Sequence, residues 1–560
     1  MSTETATAGK AGNAPQLVSL TIDGKEARVP KGTNLLEAAR SIGVEVPFYC
    51  YHPHLSVAGN CRMCTMKVEG QGKLAIGCGT PVAEGMKVQS QATSKEVADA
   101  QAATLEFILI NHPLDCTVCD QAGHCKLQDY HYEYNARPSR FVEEKVHKIK
   151  AEPLGPTVSL DGERCIMCTR CVRFCDEITG TSELGMLNRG DRSVIAVNPG
   201  RELNNPLSGT VVDLCPVGAL THRNWRFNTR IWFTKESEGI CPGCSTGCNV
   251  KVAVRDGEVV QVKARQNAEV NKEWLCDEGR YGFMRFLPEK RLSGVVSRAE
   301  GGKLLSVDEG AIALTKFADQ ETAILLAPDL LLEDYRVIKH FAEKVIKKSS
   351  MTLAYAERSL TKVESILISP DYAANFRGAE WVGMANGELE ARYRATLADI
   401  RSGKVKRVLI IGDRAVGAGE IDSALLAGIR AASLSVFIGT DASSPLAEAT
   451  QFTFGGRSIL ERSGLLVNRN MRLQYTAAAL DPATTTEPVW KILARAAHRS
   501  GVKITAANSD RDLTLEFLAG EPRLLGLRIA SIVRQRGVCL KSYQPGSVES
   551  SSLVEARSLG

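Results

Sequence analysis

At 560 residues the chain is long enough for three or four domains of roughly 100–200 residues, each burying a core of its own. Its composition, 44% hydrophobic and 24% charged with a formal net charge of +5, is globular, and no Lys/Arg-dense stripe with interleaved aromatics marks a dedicated nucleic-acid binder. No run of roughly 18 or more apolar residues occurs, so membrane association is expected only through partners.

Residues 1–15 are small and polar, with no apolar stretch behind a basic start, and read as a disordered tail. From residue 17 to 30, Val18, Leu20 and Ile22 alternate, Asp23-Gly24 supplies a turn, and Ala27 and Val29 resume the period of two, which predicts a hairpin. A helix follows, with Asn34 and Glu37 as a capping box and Leu35, Leu36, Ala38 and Ala39 on its apolar face. Four cysteines then arrive in a Gly-rich loop and a short strand, Thr65 to Val68. Residues 16–93 thus have the element order of a β-grasp 2Fe-2S ferredoxin. Thr93 to Ile110 is helical in pattern, through Val97, Ala100, Leu105, Ile108 and Leu109, and stops before Asn111-His112-Pro113. Residues 126–160 are polar and Pro-bearing, which predicts a connector. Beyond Pro288 the texture becomes α/β: strands at Ala323 to Leu326, Val408 to Ile411 and Val436 to Ile438 alternate with helices such as Leu332 to Lys347 and Glu388 to Ser402, predicting a partly parallel sheet.

Fifteen of the 17 cysteines and one histidine fall into four consecutive sets of four. In a large chain without a secretory signal, such Cys-x2-Cys pairs point to metal ligands in a reducing compartment rather than disulfides. The first set is Cys50, Cys61, Cys64 and Cys78. Its spacings of ten, two and thirteen begin with a longer loop than plant-type ferredoxins have, Gly59, Gly77 and Gly79 permit close backbone approach, and a 2Fe-2S cluster is expected, with zinc as the alternative. The second is His112, Cys116, Cys119 and Cys125. Without His112 it has only three thiols, so the imidazole is read as a ligand of a 4Fe-4S cluster and His124 as a bystander. The third begins with Cys165, Cys168 and Cys171, in a run resembling bacterial ferredoxins. Two thiols compete to close it: Cys215, favoured by its Cys-Pro context, and Cys175, which Asp176 follows. Arg164, Arg170 and Arg173 either offset cluster charge or form a solvated helix face. The fourth set, Cys241, Cys244, Cys248 and Cys276, suits another 4Fe-4S cluster. Cys539 stays outside all four.

Pro-Phe-Tyr-Cys50-Tyr-His-Pro, Gly-Asn-Cys61-Arg-Met-Cys64, Asn-His112-Pro-Leu-Asp-Cys116, Cys165-Ile-Met-Cys168 and Asp-Leu-Cys215-Pro-Val-Gly-Ala-Leu together resemble the large iron-sulfur subunit of respiratory complex I, the 75 kDa subunit of mitochondria and its bacterial counterpart. The resemblance covers residues 17 to about 290. It implies a multidomain α+β and α/β chain: a β-grasp domain over 16–93, a His/Cys3 4Fe-4S domain over 94–135, a ferredoxin-like 4Fe-4S domain over 136–235, a molybdopterin-oxidoreductase-type 4Fe-4S domain over 236–292, and over 293–560 an α/β molybdopterin-oxidoreductase-like domain without that cofactor. Glu461-Arg-Ser-Gly464-Leu-Leu-Val-Asn468-Arg-Asn-Met-Arg472-Leu-Gln474 matches a stretch of that fold except at Leu465, and only 284 residues follow Cys276, so this half reads as shortened. The implied function is an electron relay within an NADH:quinone oxidoreductase, an ion translocase of the respiratory chain, from a flavin-bearing NADH-binding subunit through the first, second and third sets towards quinone-side iron-sulfur subunits. The implied location is the cytoplasmic face of the bacterial inner membrane, held there by partners, with no substrate chemistry on this chain and no nucleic acid.

The iron-sulfur subunit of an NAD-dependent formate dehydrogenase shares all four sets, but no cysteine between Cys276 and Cys539 could hold a catalytic molybdenum. A hydrogenase-type subunit would need a further cysteine constellation, and a cluster-bearing scaffold without turnover is the non-enzymatic reading. Gly417-Ala-Gly419 before Asp422 lacks the third glycine of a dinucleotide fingerprint and reads as a strand-to-helix loop.

Overall fold

A computed structural model describes residues 16–135, 137–287, 289–355, 357–384 and 388–545, except for the side chains of Met284 and Arg285; the expected tail, 1–15, lies outside them. The chain divides into two compact units between Phe233 and Thr234.

In the first unit, β1 (Leu17–Ile22) and β2 (Lys25–Pro30) form the predicted hairpin. Asp23 and Gly24 both take positive φ, 51° and 81°, as a tight turn matched to strand twist requires. Helix α1 (Leu35–Ser41) follows, with Asn34 Oδ1 accepting the Glu37 N–H at 2.9 Å. Only half of the expected capping box forms, because the Glu37 carboxylate accepts instead from Arg40 at 2.9 Å. β3 (Thr65–Val68), β4 (Ala75–Ile76) and β5 (Lys87–Gln89) complete a mixed sheet in the order β2-β1-β5-β3-β4, with β1 and β5 parallel. Helix α2 (Lys95–Leu109) is capped by Ser94; of its expected face Val97 and Leu105 are buried and Ala100, Ile108 and Leu109 half-buried, while Gln101 and Ala102 are buried beside them.

The predicted connector is partly helical. α3 (Lys126–Tyr134) buries Leu127 and pairs Tyr130 with Tyr134, ring centroids 5.5 Å apart, so aromatic contacts one turn apart sustain a helix in a polar stretch. Further on, β6 (Glu152–Pro153) and β7 (Val158–Leu160) precede α4 (Arg170–Arg173), the hairpin of β8 (Leu184–Leu187) with β9 (Val194–Val197), α5 (Thr210–Leu214) and β10 (Leu220–His222). The sheet order β10-β7-β6 brings Cys215, at the end of α5, back to the strand that precedes Cys165.

The second unit opens with an antiparallel sheet of β11 (Lys235–Ile240), β12 (Asn249–Arg255) and β13 (Glu258–Ala264), then α6 (Asp277–Tyr281). Its main sheet has seven strands, β14 (Val295–Ser297), β15 (Lys303–Leu305), β16 (Thr322–Leu326), β17 (Ser349–Leu353), β18 (Arg407–Ile411), β19 (Leu434–Gly439) and β20 (Phe452–Gly455), in the order β15-β14-β20-β19-β18-β16-β17. The five from β20 to β17 are parallel and β14 pairs antiparallel at their edge, so the partly parallel sheet is present with four strands more than the three that apolar runs predict. Both faces are covered, as parallel sheets demand. Ile324, Leu326, Leu409, Ile411, Val436 and Ile438 share a core with α7 (Val307–Thr315), α8 (Leu332–Phe341), α9 (Phe376–Trp381) and α13 (Val489–Arg499). The alternate residues Leu325, Val408, Ile410 and Phe437 meet α10 (Leu389–Arg401), α11 (Ser423–Ala431) and α12 (Pro445–Ala449). α8 gives way to a π-turn over Ala342–Ile346, earlier than the predicted end. A third sheet, β21 (Gly464–Val467), β22 (Arg472–Thr476) and β23 (Val538–Cys539), packs with α14 (Asp510–Gly520) and α15 (Ile529–Arg534). Among the described residues, no helix is long and apolar enough to cross a membrane.

Candidate metal centres

The first set is closed by its own thiols. Cys50, Cys64 and Cys78 are buried and Cys61 half-buried; Cys50 N–H donates to Cys61 Sγ at 3.4 Å and Cys78 N–H to Cys64 Sγ at 3.5 Å. The neighbouring sulfurs shift one another's acidities, holding the Cys50 and Cys64 thiols below the ordinary range and pushing Cys61 and Cys78 above it. Gly77 permits a close approach, since a Cβ there would stand 3.0 Å from the Cys64 carbonyl and 3.1 Å from Met66 Sδ, tighter than most such contacts.

In the second set, His112 ends the turn that follows α2 and Cys116 begins a short 3-10 turn. Desolvation, with the cations Lys145 and Arg164 adding to it, pushes the imidazole down to about 4, so it is neutral near pH 7, the form that ligates. Cys119 is buried, Cys125 half-buried and Cys116 exposed; burial raises the first two thiols, and all three sit close enough to repel one another as thiolates. Asp115, between His112 and Cys116, is fixed by Lys150 at 2.7 Å and Arg164 at 2.8 Å, and Arg230 donates to the Cys119 and Thr117 carbonyls.

Cys165, Cys168, Cys171 and Cys215 line one small cavity walled by Leu160, Ile195, Val217 and Leu220. Met167 and Thr169 take positive φ, 52° and 60°, to wrap the loop between the first three. Burial pushes Cys165 up to about 12 and Cys168 to about 11, while the N–H groups of Val217, Leu220 and Ala219 point at Cys215 Sγ. Cys175 is fully buried in the π-turn Phe174–Thr179, does not line this cavity, and is raised by burial and by Glu183 and Asp176. Of the two competing thiols, the structure brings Cys215 to the other three.

The arginines of this region are not a solvated face. Arg164 and Arg170 are buried. Arg170 donates to the carbonyls of Tyr51 and Leu214, whereas Arg173 spans the Cys50 carbonyl at 2.6 Å and the Cys168 carbonyl at 3.2 Å. The first and third sets are therefore neighbours. The third also abuts the second, because a Cβ on Gly218 would collide with Cys119 Sγ. Tyr49 packs its ring on Tyr130, centroids 5.3 Å apart, between the first loop and the helix that starts after Cys125.

In the second unit, Cys241, Cys244, Cys248 and Cys276 line a cavity with Leu367, Ile368 and Tyr372. Cys241 N–H donates to the Cys248 carbonyl at 2.8 Å. Cys276 caps α6, its sulfur accepting the Gly279 N–H at 3.2 Å, and a Cβ on Gly279 would stand 3.1 Å from Cys241 Sγ and 3.3 Å from Cys276 Sγ. Burial raises the Cys248 and Cys276 thiols. Among the described residues, no three His, Cys, Asp or Glu side chains are spaced to hold a single metal ion. The third and fourth sets place soft donors around small cavities, and backbone N–H groups are directed at sulfur in the first and fourth, a chemistry that fits iron-sulfur clusters. The Gly417 to Asp422 stretch holds no such donors. There Asp422 caps α11, accepting the Leu425 N–H at 2.7 Å, and pairs with Arg401 at 3.0 Å.

Four family models match in succession: a 2Fe-2S iron-sulfur cluster binding domain over residues 16–93, the NADH-ubiquinone oxidoreductase-G iron-sulfur binding region over 101–140, the ferredoxin-like domain of NADH-quinone oxidoreductase subunit 3 over 155–221, and the molybdopterin oxidoreductase Fe4S4 domain over 234–286. The chain is 40% identical over 306 residues to a subunit of the NADH-quinone oxidoreductase of Streptomyces coelicolor, covering 54% of this chain and 36% of that protein. It is 39% identical over 296 residues to the mitochondrial NADH dehydrogenase [ubiquinone] iron-sulfur protein 1 of Solanum tuberosum, covering 53% and 39% respectively. The NADH-ubiquinone oxidoreductase 75 kDa subunit of Reclinomonas americana is 39% identical over 285 residues, covering 51% and 41%. A solved NAD+-reducing [NiFe]-hydrogenase in its H2-reduced state matches 38% of this chain and 91% of its own at 28% identity and a TM-score of 0.35. The match thus spans less than half the length of these curated relatives. Through its cysteine-bearing half, the chain resembles the 75 kDa iron-sulfur subunit of NADH-quinone oxidoreductases and its bacterial counterparts.

Proposed function

We propose that this chain is the iron-sulfur electron-relay subunit of an NADH:quinone oxidoreductase, receiving electrons from a flavin-bearing, NADH-oxidising partner and passing them to quinone-side iron-sulfur subunits, with ion translocation left to the whole complex. The observation that carries this is four successive donor sets in the order of the four matching family models. Cys50, Cys61, Cys64 and Cys78 would hold a 2Fe-2S cluster in a β-grasp domain. His112, Cys116, Cys119 and Cys125, then Cys165, Cys168, Cys171 and Cys215, then Cys241, Cys244, Cys248 and Cys276 would each hold a 4Fe-4S cluster. Bound clusters supply one-electron redox chemistry at potentials the protein tunes.

The chain's own residues do the rest. Thiolates and one imidazole bind, backbone N–H groups offset negative charge on sulfur, and apolar walls such as Leu160, Ile195 and Val217 exclude water. Arg173 and Gly218 support a spatial order of first, third, second, which differs from the order along the sequence. The α/β region would dock partner subunits, without molybdopterin, at the cytoplasmic face of a bacterial membrane.

The test is iron and acid-labile sulfide analysis of the anaerobic full chain with low-temperature EPR, together with NADH titration of the assembled complex. Roughly fourteen irons are expected from one 2Fe-2S and three 4Fe-4S clusters. Absence of NADH-driven cluster reduction on the catalytic timescale would refute the relay.

A further inference from the structure

The stretch Glu461 to Gln474, which resembles a segment of the molybdopterin oxidoreductase fold, reaches the fourth thiol set. Three consecutive carbonyls of the loop between Cys244 and Cys248 are each taken by the β21–β22 hairpin. Ser245 O accepts the Arg469 N–H at 2.7 Å, Thr246 O accepts Asn468 Nδ2 at 3.2 Å, and Gly247 O accepts Gln474 Nε2 at 3.0 Å. The opposite side of the loop is held by the segment from Leu367 to Asp371. Thr246 Oγ1 donates to the Leu367 carbonyl at 2.7 Å, Ser245 N–H donates to Asp371 Oδ1 at 3.1 Å, and the Ser245 hydroxyl bonds Asp371 and Ser369. From that segment the Ser369 N–H donates directly to Cys244 Sγ at 3.4 Å.

The fit leaves no slack. Ser245, Thr246, Asn468 and Gln474 are all at most 2% exposed. Gly247 sits at φ +64°, and a Cβ there would meet Gln474 Oε1 at 2.6 Å. The loop's ligands are thus placed by residues more than a hundred positions away, beyond the 234–286 stretch that the cluster-domain model covers.

We propose that the β21–β22 hairpin and the Leu367–Asp371 segment are the positioning apparatus of the fourth cluster, with Asn468 and Gln474 retaining it and the Ser369 N–H raising its potential. A donor on a ligating sulfur offsets thiolate charge and favours the reduced state. The carbonyl bonds keep Cys244 and Cys248 at the separation one cluster spans. The proposal rests on the fourth set being cluster ligands.

The experiment uses the full anaerobic chain. Cys248→Ala identifies the fourth cluster's EPR signal by difference, and redox titration and chelator-driven iron release are then followed in Asp371→Ala, Asp371→Asn, Gln474→Leu and Gln474→Glu. Asp371→Ala should lower the midpoint of that signal alone, and Asp371→Asn, which keeps an acceptor for Ser245, should restore it. Both Gln474 variants, which lose the donor at unchanged size, should release that cluster's iron roughly tenfold faster, the effect of one buried hydrogen bond. Unchanged midpoint, line shape and release rate would overturn the proposal. If Cys248→Ala removes neither signal nor iron, the cluster assignment itself fails and takes the proposal with it.

Discussion

Glu333, in the first turn of α8, has its carboxylate sealed inside the second unit. It is 2% exposed; its oxygens accept the Leu465 N–H at 3.1 and 3.2 Å, and Oε1 also accepts the Thr514 hydroxyl at 2.6 Å. Burial outweighs these bonds and pushes the group from 4.5 up to about 7. Because the folded value lies above the unfolded one, the folded state holds the proton longer. This contribution to stability is complete below pH 4.5 and is lost as pH rises towards 7. Holding a proton over that window corresponds to about 3 kcal/mol. Glu333→Gln mimics the protonated form, with an amide oxygen to accept from Leu465 and Thr514 and no charge to bury. In anaerobic urea unfolding of the full chain, followed by tryptophan fluorescence, the variant should match the parent within about 1 kcal/mol at pH 5 and gain about 2–3 kcal/mol on it by pH 8. Parallel pH profiles for the two proteins would refute the reasoning.

Two further outcomes follow from buried charge and from ligand type. Arg462 is 4% exposed and binds Asp334 at 2.8 Å and Asp510 at 3.0 Å, while Trp490 Nε1 donates to Asp510 at 2.8 Å. Burial works against the Asp510 carboxylate, but Arg462 prevails and holds it below its usual range. Arg462→Leu strands both carboxylates and should cost about 3–5 kcal/mol at pH 7 in the same urea assay, and a loss under about 1 kcal/mol would contradict the buried network. His112→Cys replaces a neutral ligand by an anionic one, so redox titration should show a cluster retained at lower potential; an unchanged potential and spectrum would argue against ligation.

What the sequence shows well is what depends on neighbours along the chain. The turn at Asp23-Gly24, the cap at Asn34 and the strand runs at 323, 408 and 436 are all set by residues a few positions apart, and each forms where local chemistry predicts. The short strands β14, β15, β17 and β20 escape because pairing partners, not their own apolar runs, make them strands. Helix α3 escapes for a related reason: its polar composition conceals two tyrosines one turn apart, and Tyr130 gains a further ring in Tyr49.

The same division runs through the candidate site. Short Cys-x2-Cys steps mark where each set lies, since one loop must wrap one cluster, but they carry nothing about which distant side chain completes it or which sets touch. Gly218 shows why. It lies in the Cys215-Pro-Val-Gly run and reads along the sequence as part of the third set's loop. In the folded first unit its missing side chain makes room instead for Cys119 of the second set, whose sulfur fills the place a Cβ would take. Arg173 behaves alike: it stands two residues after Cys171, yet its guanidinium reaches the Cys50 carbonyl 123 positions back. The fourth loop is held in the same way, by Asn468 and Gln474 more than 220 positions downstream. A residue beside a ligand in sequence can therefore belong physically to a different centre. The adjacency of centres is written in these long-range contacts and not in cysteine spacing.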